Sequence, residues 1–363
     1  MSGRSMTKFY PVTVADVRRE TRDAIVLTLD VPDEHKDAFR FSPGQYLTLR
    51  THIDGDEVRR SYSICATPME GRLRVGIKRI AGGAFSSWAS EQLAPGQVIE
   101  AMPPMGNFFV PLDRARKRHF VGFAAGSGIT PLLSIIKTTL VAEPKSSFTL
   151  FYGNRASSSI MFREELEDLK NEHLDRFSLI HILSREQQDI DLFNGRLSKE
   201  KCDQLLDHWI DASSIDTAFI CGPQDMMLGV ARSLEEHGLD KRQIKFELFA
   251  TSTPSRRQRR PEEATAEDRK NLCEATIVID GRARTLSFEK GTASVLDAAT
   301  AEGLELPYAC KGGVCSTCRA MLVEGEVDMD ANFALEDYEI ARGYILTCQS
   351  YPVSDRILVD FDK

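Results

Sequence analysis

Four cysteines, Cys310, Cys315, Cys318 and Cys348, stand in the order Cys-x4-Cys-x2-Cys followed by a distant fourth. That is the ligand spacing of a plant-type 2Fe-2S cluster. It constrains the local fold severely, because one tight loop must wrap three thiolates around a small inorganic core while a separate element delivers the last. The run Leu306-Pro-Tyr-Ala-Cys-Lys-Gly-Gly-Val-Cys-Ser-Thr-Cys318 supplies such a loop, and Gly312 and Gly313 let backbone N–H groups approach the sulfurs. The spacing predicts a chain that moves single electrons. Structural zinc is a weaker fit: it favours paired Cys-x2-4-Cys knuckles, and Cys348 stands alone. Disulfides suit secreted chains, whereas the N-terminal Met1-Ser-Gly-Arg-Ser-Met-Thr-Lys lacks the apolar core of a signal peptide. Cys65, Cys202, Cys221 and Cys273 are scattered and read as unpaired thiols of a cytoplasmic protein; only Cys221 is placed for chemistry.

A chain of 363 residues exceeds one ordinary core, so two or three domains are expected. No run of about 18 apolar residues is present to span a bilayer, and no membrane partner is predicted. The net charge of -8 is uneven: residues 272–363 hold 16 acidic against 8 basic residues, and the remainder is neutral with 38 of each. An acidic module of this kind can be steered toward a basic face on an electron-accepting partner, although acidity equally aids solubility. The basic run Arg256-Arg257-Gln258-Arg259-Arg260 is followed by Glu262, Glu263, Glu267 and Asp268, the pattern of a solvated linker, so no nucleic acid partner is predicted.

Residues 251–270 contain no large apolar side chain and cannot build a core. Before them, residues 9–112 read as short alternating strands at 10–17, 24–29, 45–50, 59–64, 72–78 and 97–102, separated by Pro43-Gly44, Asp54-Gly55 and Pro95-Gly96 turns. Such strands suggest a small antiparallel β-barrel. Residues 118–250 alternate apolar strands (118–124, 147–153, 177–183, 218–221) with helices, the pattern of an α/β parallel sheet that binds nucleotides. The expected domains are therefore 1–113, 114–250 and 272–363, with a linker at 251–271.

Two loops carry the nucleotide chemistry. Arg60, Tyr62 and Ser63, at the end of a barrel strand, are expected to line one face and offer a cation for a phosphate, a ring for a flat heterocycle and a hydroxyl for a ring nitrogen. Downstream, Gly82-Gly83-Ala84-Phe85-Ser86 runs into a helix whose free N–H groups can hold a pyrophosphate. In the second domain Gly126-Ser127-Gly128-Ile129-Thr130-Pro131 follows the first strand, but Pro131 takes the place of the third glycine, so the ordinary dehydrogenase fingerprint fails. Cys221-Gly222-Pro223 ends a later strand at the edge where ligands bind in such sheets.

Taken in order, these pieces resemble the ferredoxin-NADP reductase superfamily with a plant-type ferredoxin fused behind it. The resemblance implies FAD bound by Arg60, Tyr62, Ser63, Gly83, Phe85 and Ser86, and NADPH bound by Gly126, Gly128, Thr130 and Gly222. It also implies that Cys221 places the nicotinamide, that Glu247 and Phe249 form the terminal acidic-x-aromatic segment with the ring over the flavin, and that the C-terminal module is an α+β β-grasp fold. Catalytic roles fall to Ser63, Cys221 and Glu247. A narrower resemblance, carried by Phe41-Ser-Pro-Gly-Gln-Tyr-Leu-Thr-Leu, Tyr152-Gly-Asn-Arg155 and the cysteine loop, is to the reductase subunits of multicomponent phenylacetyl-coenzyme A epoxidases of phenylacetate catabolism. It implies that electrons pass to a separate diiron oxygenase, and that the organic substrate never touches this chain. NADPH is expected over NADH because Arg155, Ser184 and Arg185, each just after a strand, can fork around a 2′-phosphate. The reductase of another ring-hydroxylating or hydrocarbon oxygenase, and a redox sensor, are the alternatives.

Overall fold

The computed structural model describes residues 8–249 and 271–363. They form two compact units, Phe9–Phe249 and the part from residue 271 onward. The expected linker with its basic run lies outside the described residues, except for Asn271.

The first unit begins with six antiparallel strands: β1 (Tyr10–Thr21), β2 (Ala24–Asp30), β3 (Tyr46–Ile53), β4 (Asp56–Ser63), β5 (Leu73–Lys78) and β6 (Val98–Ala101). Val12 and Val14, Ile25 and Leu27, Leu47 and Leu49, and Val75 and Ile77 recur at every second position and are all buried, which is how strands with one covered face are written. The sheet runs β4-β3-β6-β1-β2-β5. Its ends meet where Ile64 bridges Val75 and the Cys65 N–H donates to the Arg74 carbonyl at 2.9 Å. The sheet thus closes into a barrel with no free edge. Helix α1 (Ala84–Gln92) packs Phe85 and Ala89 into the barrel core.

A parallel sheet follows, built from β7 (His119–Ala125), α2 (Ile129–Ala142), β8 (Ser147–Asn154), α3 (Arg163–Glu172), β9 (Phe177–Leu183), α4 (Lys199–His208), β10 (Thr217–Gly222), α5 (Gln224–Glu236) and β11 (Ile244–Leu248). The order is β11-β10-β7-β8-β9. Its central strands are continuous apolar runs because helices cover both faces. The chain builds outward from β7 to β9 and then returns to β10, so the carboxyl ends of β7 and β10 form the crevice where such sheets bind ligands. The barrel and this sheet share a core: Phe108 meets Phe219 edge-on at 5.4 Å, and Ala24, Val26 and Cys65 pack with the apolar side of α2. An ion network also crosses the joint, with Arg74 donating to Glu165 at 3.0 Å and Lys137 contacting both Glu165 and Glu70.

The second unit is a five-stranded sheet, β13-β12-β18-β14-β16, beside a small β15-β17 ribbon. Its elements are β12 (Leu272–Ile279), β13 (Arg282–Glu289), α6 (Val295–Ala301), β14 (Arg319–Glu324), β15 (Val327–Met329), α7 (Asp337–Ala341), β16 (Tyr344–Leu346), β17 (Ser350–Pro352) and β18 (Arg356–Asp360). β12 and β18 pair in parallel at its centre, and the other ladders are antiparallel. Ser294 caps α6 by accepting the Asp297 N–H, and Leu296 and Ala299 pack onto the sheet with Ile277, Ile357 and Val359. No described helix is long and apolar enough to cross a membrane.

Candidate functional site

At the crevice between β7 and β10, the turn Gly126–Gly128 lies against the end of β10. A Cβ on Gly128 would stand 2.1 Å from the Cys221 carbonyl oxygen, so only glycine permits this approach. Tyr152 donates its hydroxyl to the Gly126 carbonyl at 2.9 Å, and Thr130 donates to the Ser127 carbonyl at 2.9 Å, fixing the turn from both sides. The Ile129 N–H that opens α2 is already donated to the Gly126 and Ser127 carbonyls, and no side chain caps the preceding Gly126–Gly128 turn, so it is that turn whose N–H groups are available to a ligand phosphate. Lys78 of β5 reaches the same turn: its Nζ is 3.8 Å from where a Gly126 Cβ would be. Sequence reading placed Tyr152 in a motif without a role and missed Lys78, since each acts across the fold.

Three residues distant in sequence come together beside this turn. Ser63, at the end of β4, donates to Glu247 Oε2 at 2.8 Å, and Glu247 is the register partner of Cys221 across β11 and β10. Burial pushes Glu247 up to about 7 against the opposing hydrogen bond from Ser63. The Cys221 thiol, fully buried, is pushed well above its ordinary value by desolvation and then by the Glu247 charge. Cys221 is thus a buried neutral thiol rather than a thiolate nucleophile. Phe249 packs partly buried against the core cluster that contains Cys221.

Glu247 links this trio to stability. An unfolded glutamate titrates near 4.5, so the raised folded value favours the neutral form, and that contribution is complete below 4.5 and lost as the pH rises through about 7. The variant Glu247→Gln, neutral throughout, should therefore lose less thermal stability than the unmodified chain between about pH 5 and pH 8. Thermal midpoints across that range check this; parallel profiles would mean that the surroundings of Glu247 do not favour its neutral form.

Arg60 and Tyr62 share a face, opposite Leu49 and Leu47 of β3, but Ser63 is one residue further and points to the other side, where it meets Glu247. The three therefore do not line one face; they straddle the strand. Tyr62 packs on Phe85 with ring centroids 5.4 Å apart, and burial raises its hydroxyl far above the ordinary value. Phe85 is itself a buried core residue, and the Ser86 hydroxyl is engaged by its own loop, accepting from the Ile80 N–H and donating to the Gly83 carbonyl. Neither side chain is presented outward. What this loop offers a phosphate is the uncapped start of α1 behind Gly83, with the exposed Arg60 guanidinium carried on β4, the strand that α1 touches.

The loops after β8 and β9 are zipped together. The Ser184 N–H donates to the Asn154 carbonyl at 3.0 Å and the Arg185 N–H to the Arg155 carbonyl at 2.8 Å. Glu186 adds a latch by accepting from both the N–H and the hydroxyl of Ser157. Arg155 and Arg185 are exposed, and neither guanidinium has a partner among the described residues.

In the second unit the four cluster cysteines converge, Cys310 contacting Cys315 and Cys348, and Cys348 contacting Cys318. The Cys310 thiol is held well below its ordinary value by Cys315 and Cys348 and by the N–H groups of Gly312 and Val314. Lys311, Gly313 and Ser316 adopt left-handed backbone, which curls the loop around the sulfurs. Four thiol donors, with N–H groups aimed at one of them, fit a thiolate-ligated iron-sulfur core. Among the described residues no three His, Cys, Asp or Glu side chains are set about one metal ion position.

Comparison with known proteins follows the same division. Residues 11–110 match the oxidoreductase FAD-binding domain family, 123–232 the oxidoreductase NAD-binding domain family and 277–353 the 2Fe-2S iron-sulfur cluster binding domain family. The chain is 44% identical over 357 residues to one of the subunits of the 1,2-phenylacetyl-CoA epoxidase of Escherichia coli K12, covering 98% of this chain and 99% of that one. It is 33% identical to the ferredoxin reductase component of the 3-ketosteroid-9-alpha-monooxygenase of Rhodococcus rhodochrous, over 96% of each chain. Among solved structures, phthalate dioxygenase reductase aligns over 97% of this chain and 98% of its own with TM-score 0.58 at 23% identity, a likeness of fold.

Proposed function

Since this chain belongs to the family of three-domain reductases that includes the matching component of the 1,2-phenylacetyl-CoA epoxidase of Escherichia coli, we propose that it takes electrons from NADPH and passes them to the diiron oxygenase component of a phenylacetyl-CoA epoxidase. The chain is an oxidoreductase with an FAD-binding, an NAD-binding and a 2Fe-2S domain. When bound, these groups supply a two-electron donor, a two-to-one electron converter and a one-electron carrier. The observation that carries the reading is the meeting of Ser63, Glu247 and Cys221 at the crevice, joined to near full-length identity with the epoxidase component.

The residues divide the work. The Gly126–Gly128 turn holds the dinucleotide phosphates, and the buried Cys221 with Gly222 sets the depth of the nicotinamide. Ser63 and Glu247 place a hydroxyl and a carboxyl that titrates near neutrality where a proton has to be held or released. Tyr62 and Arg60 hold the flavin ring and phosphate, with the start of α1 as the second anion site. Cys310, Cys315, Cys318 and Cys348 ligate the cluster. Free cysteines throughout the chain suit a cytoplasmic setting.

Preference for NADPH rests on the exposed Arg155 and Arg185. Changing both to Ala removes two charge-assisted contacts to a 2′-phosphate, so the KM for NADPH should rise by about tenfold or more while that for NADH moves little. Equal changes would overturn the assignment of the fork.

The reaction is tested by mixing the reduced chain with a phenylacetyl-CoA oxygenase component, phenylacetyl-CoA and O2. Epoxide formation that requires this chain and NADPH supports the proposal. Reduction of a steroid or other oxygenase in its place would favour the second reading, which the 33% identity to the ketosteroid monooxygenase reductase supports. A cluster that stays oxidised while NADPH reduces the flavin anaerobically would instead point to a redox sensor.

A further inference from the structure

Lys311 sits at the apex of the cysteine loop with φ +51, a left-handed conformation that a long side chain adopts at a cost and keeps only where its surroundings hold it. Three contacts hold it. Its ammonium donates to Asp297 of α6 at 3.0 Å, it lies over the Tyr308 ring at 4.8 Å, and its carbonyl accepts the Gln349 Nε2 at 2.9 Å. Gln349, next to Cys348 and almost wholly buried, also donates to the Cys348 carbonyl at 3.0 Å. Both partners are carbonyl oxygens, so only the NH2 end of the amide fits, and its orientation is fixed by the network. The turn that follows is the one that aims the Gly312 N–H at Cys310 Sγ, 3.3 Å away. Gln349 also lies close against Gly313, where an added Cβ would come within 3.1 Å of its Cγ.

We propose that Gln349 is a positioning residue for electron transfer. By tying the Lys311 carbonyl to the backbone at Cys348, it keeps the strained turn in the one shape that points the Gly312 N–H at the Cys310 sulfur, and so sets the reduction potential of the cluster. This rests on the four cysteines holding a 2Fe-2S cluster. An N–H donated to a ligand sulfur favours the more negative, reduced state, so loosening the turn makes the cluster harder to reduce.

The test uses the full chain with Gln349→Met, which keeps length and apolar bulk but cannot donate. The cluster midpoint is read by an anaerobic titration followed by electron paramagnetic resonance, with the flavin midpoint as internal control. The expected result is an electron-accepting equilibrium about tenfold weaker, a fall of about 59 mV for a one-electron couple, with the flavin unmoved. The same substitution in a Lys311→Gly background separates positioning from packing, because glycine adopts φ > 0 without strain and no longer needs to be held. There the fall caused by Gln349→Met should be much smaller. If Gln349→Met abolishes cluster assembly, Lys311→Gly should restore it. An unchanged midpoint, an equal fall in both backgrounds, or loss of the cluster in both overturns the proposal. Absence of any cluster from the unmodified chain would instead defeat the underlying assignment of the cysteines.

Discussion

Replacing Cys348 with Ser leaves a protein that still oxidises NADPH with a small acceptor able to reach the flavin, yet delivers no electrons to an oxygenase. Cys348 is the one of the four converging cysteines supplied from outside the loop, just after β16, and it contacts Cys310 and Cys318 directly. A serine hydroxyl does not ionise near neutrality and is a hard donor, so the remaining three thiolates face an incompletely ligated core. Changes merely neighbouring a metal ligand lower affinity by about 10–100-fold, and removing a ligand should do more. The FAD and NAD domains lie in a separate compact unit with its own shared core, so their chemistry should stay within about twofold of the unmodified rate, as for independent sites. Visible and paramagnetic resonance spectra would lose the cluster signal while flavin absorbance remains. Loss of both activities together would refute the independence of the two units.

The second large effect is expected at Gly128. In Gly128→Ala the new methyl meets backbone, the Cys221 carbonyl at 2.1 Å and its carbon at 2.5 Å, with no flexible side-chain end to yield. Either β10 or the dinucleotide turn has to move by the better part of an ångström. That displaces Cys221 and Glu247 together, since they are paired in register. Misplacement on this scale costs about 100-fold where reacting groups have to be aligned. The kcat/KM for NADPH oxidation should fall by about that factor, while bound flavin and cluster content stay unchanged. Stopped-flow reduction of the flavin measures it, and a fall of less than about threefold would show that the turn yields more easily than its backbone contacts imply.

The features legible in the sequence are those written locally. The cysteine spacing, the glycine turn before α2 and the alternating strands of the barrel each sit in a short window, and the strands recur where their apolar period places them. Helix α4 and strand β11 carry the same kind of periodic signal over shorter windows: Cys202, Leu205, Leu206 and Trp209 fall at i, i+3, i+4 and i+7, and Ile244, Phe246 and Leu248 alternate with Lys245 and Glu247. What the alternation does not tell is that β11 is an edge strand, where Phe246 stays half exposed. The site is legible as a set of residues but not as a geometry. Its motif groups Ser63 with Tyr62, and only the fold shows Ser63 turned toward Glu247, 184 positions away. Gln349 is invisible because its importance lies in a carbonyl 38 residues earlier, and an isolated glutamine after a cysteine carries no spacing signal.

The strand order of the cluster unit also bears on how the protein is made. β18, the last strand of the unit in chain order, lies at the centre of its sheet, between β12 and β14. A chain cut before Arg356 therefore carries all four cysteines but lacks the strand that joins the two halves of their scaffold. Synthesis proceeds at about 5–20 residues per second and domains fold as units, so the FAD and NAD domains can fold and load while the cysteine loop is still unsupported. Iron-sulfur insertion then waits for the last strand, and a released chain truncated before Arg356 should purify as a flavoprotein with oxidisable thiols.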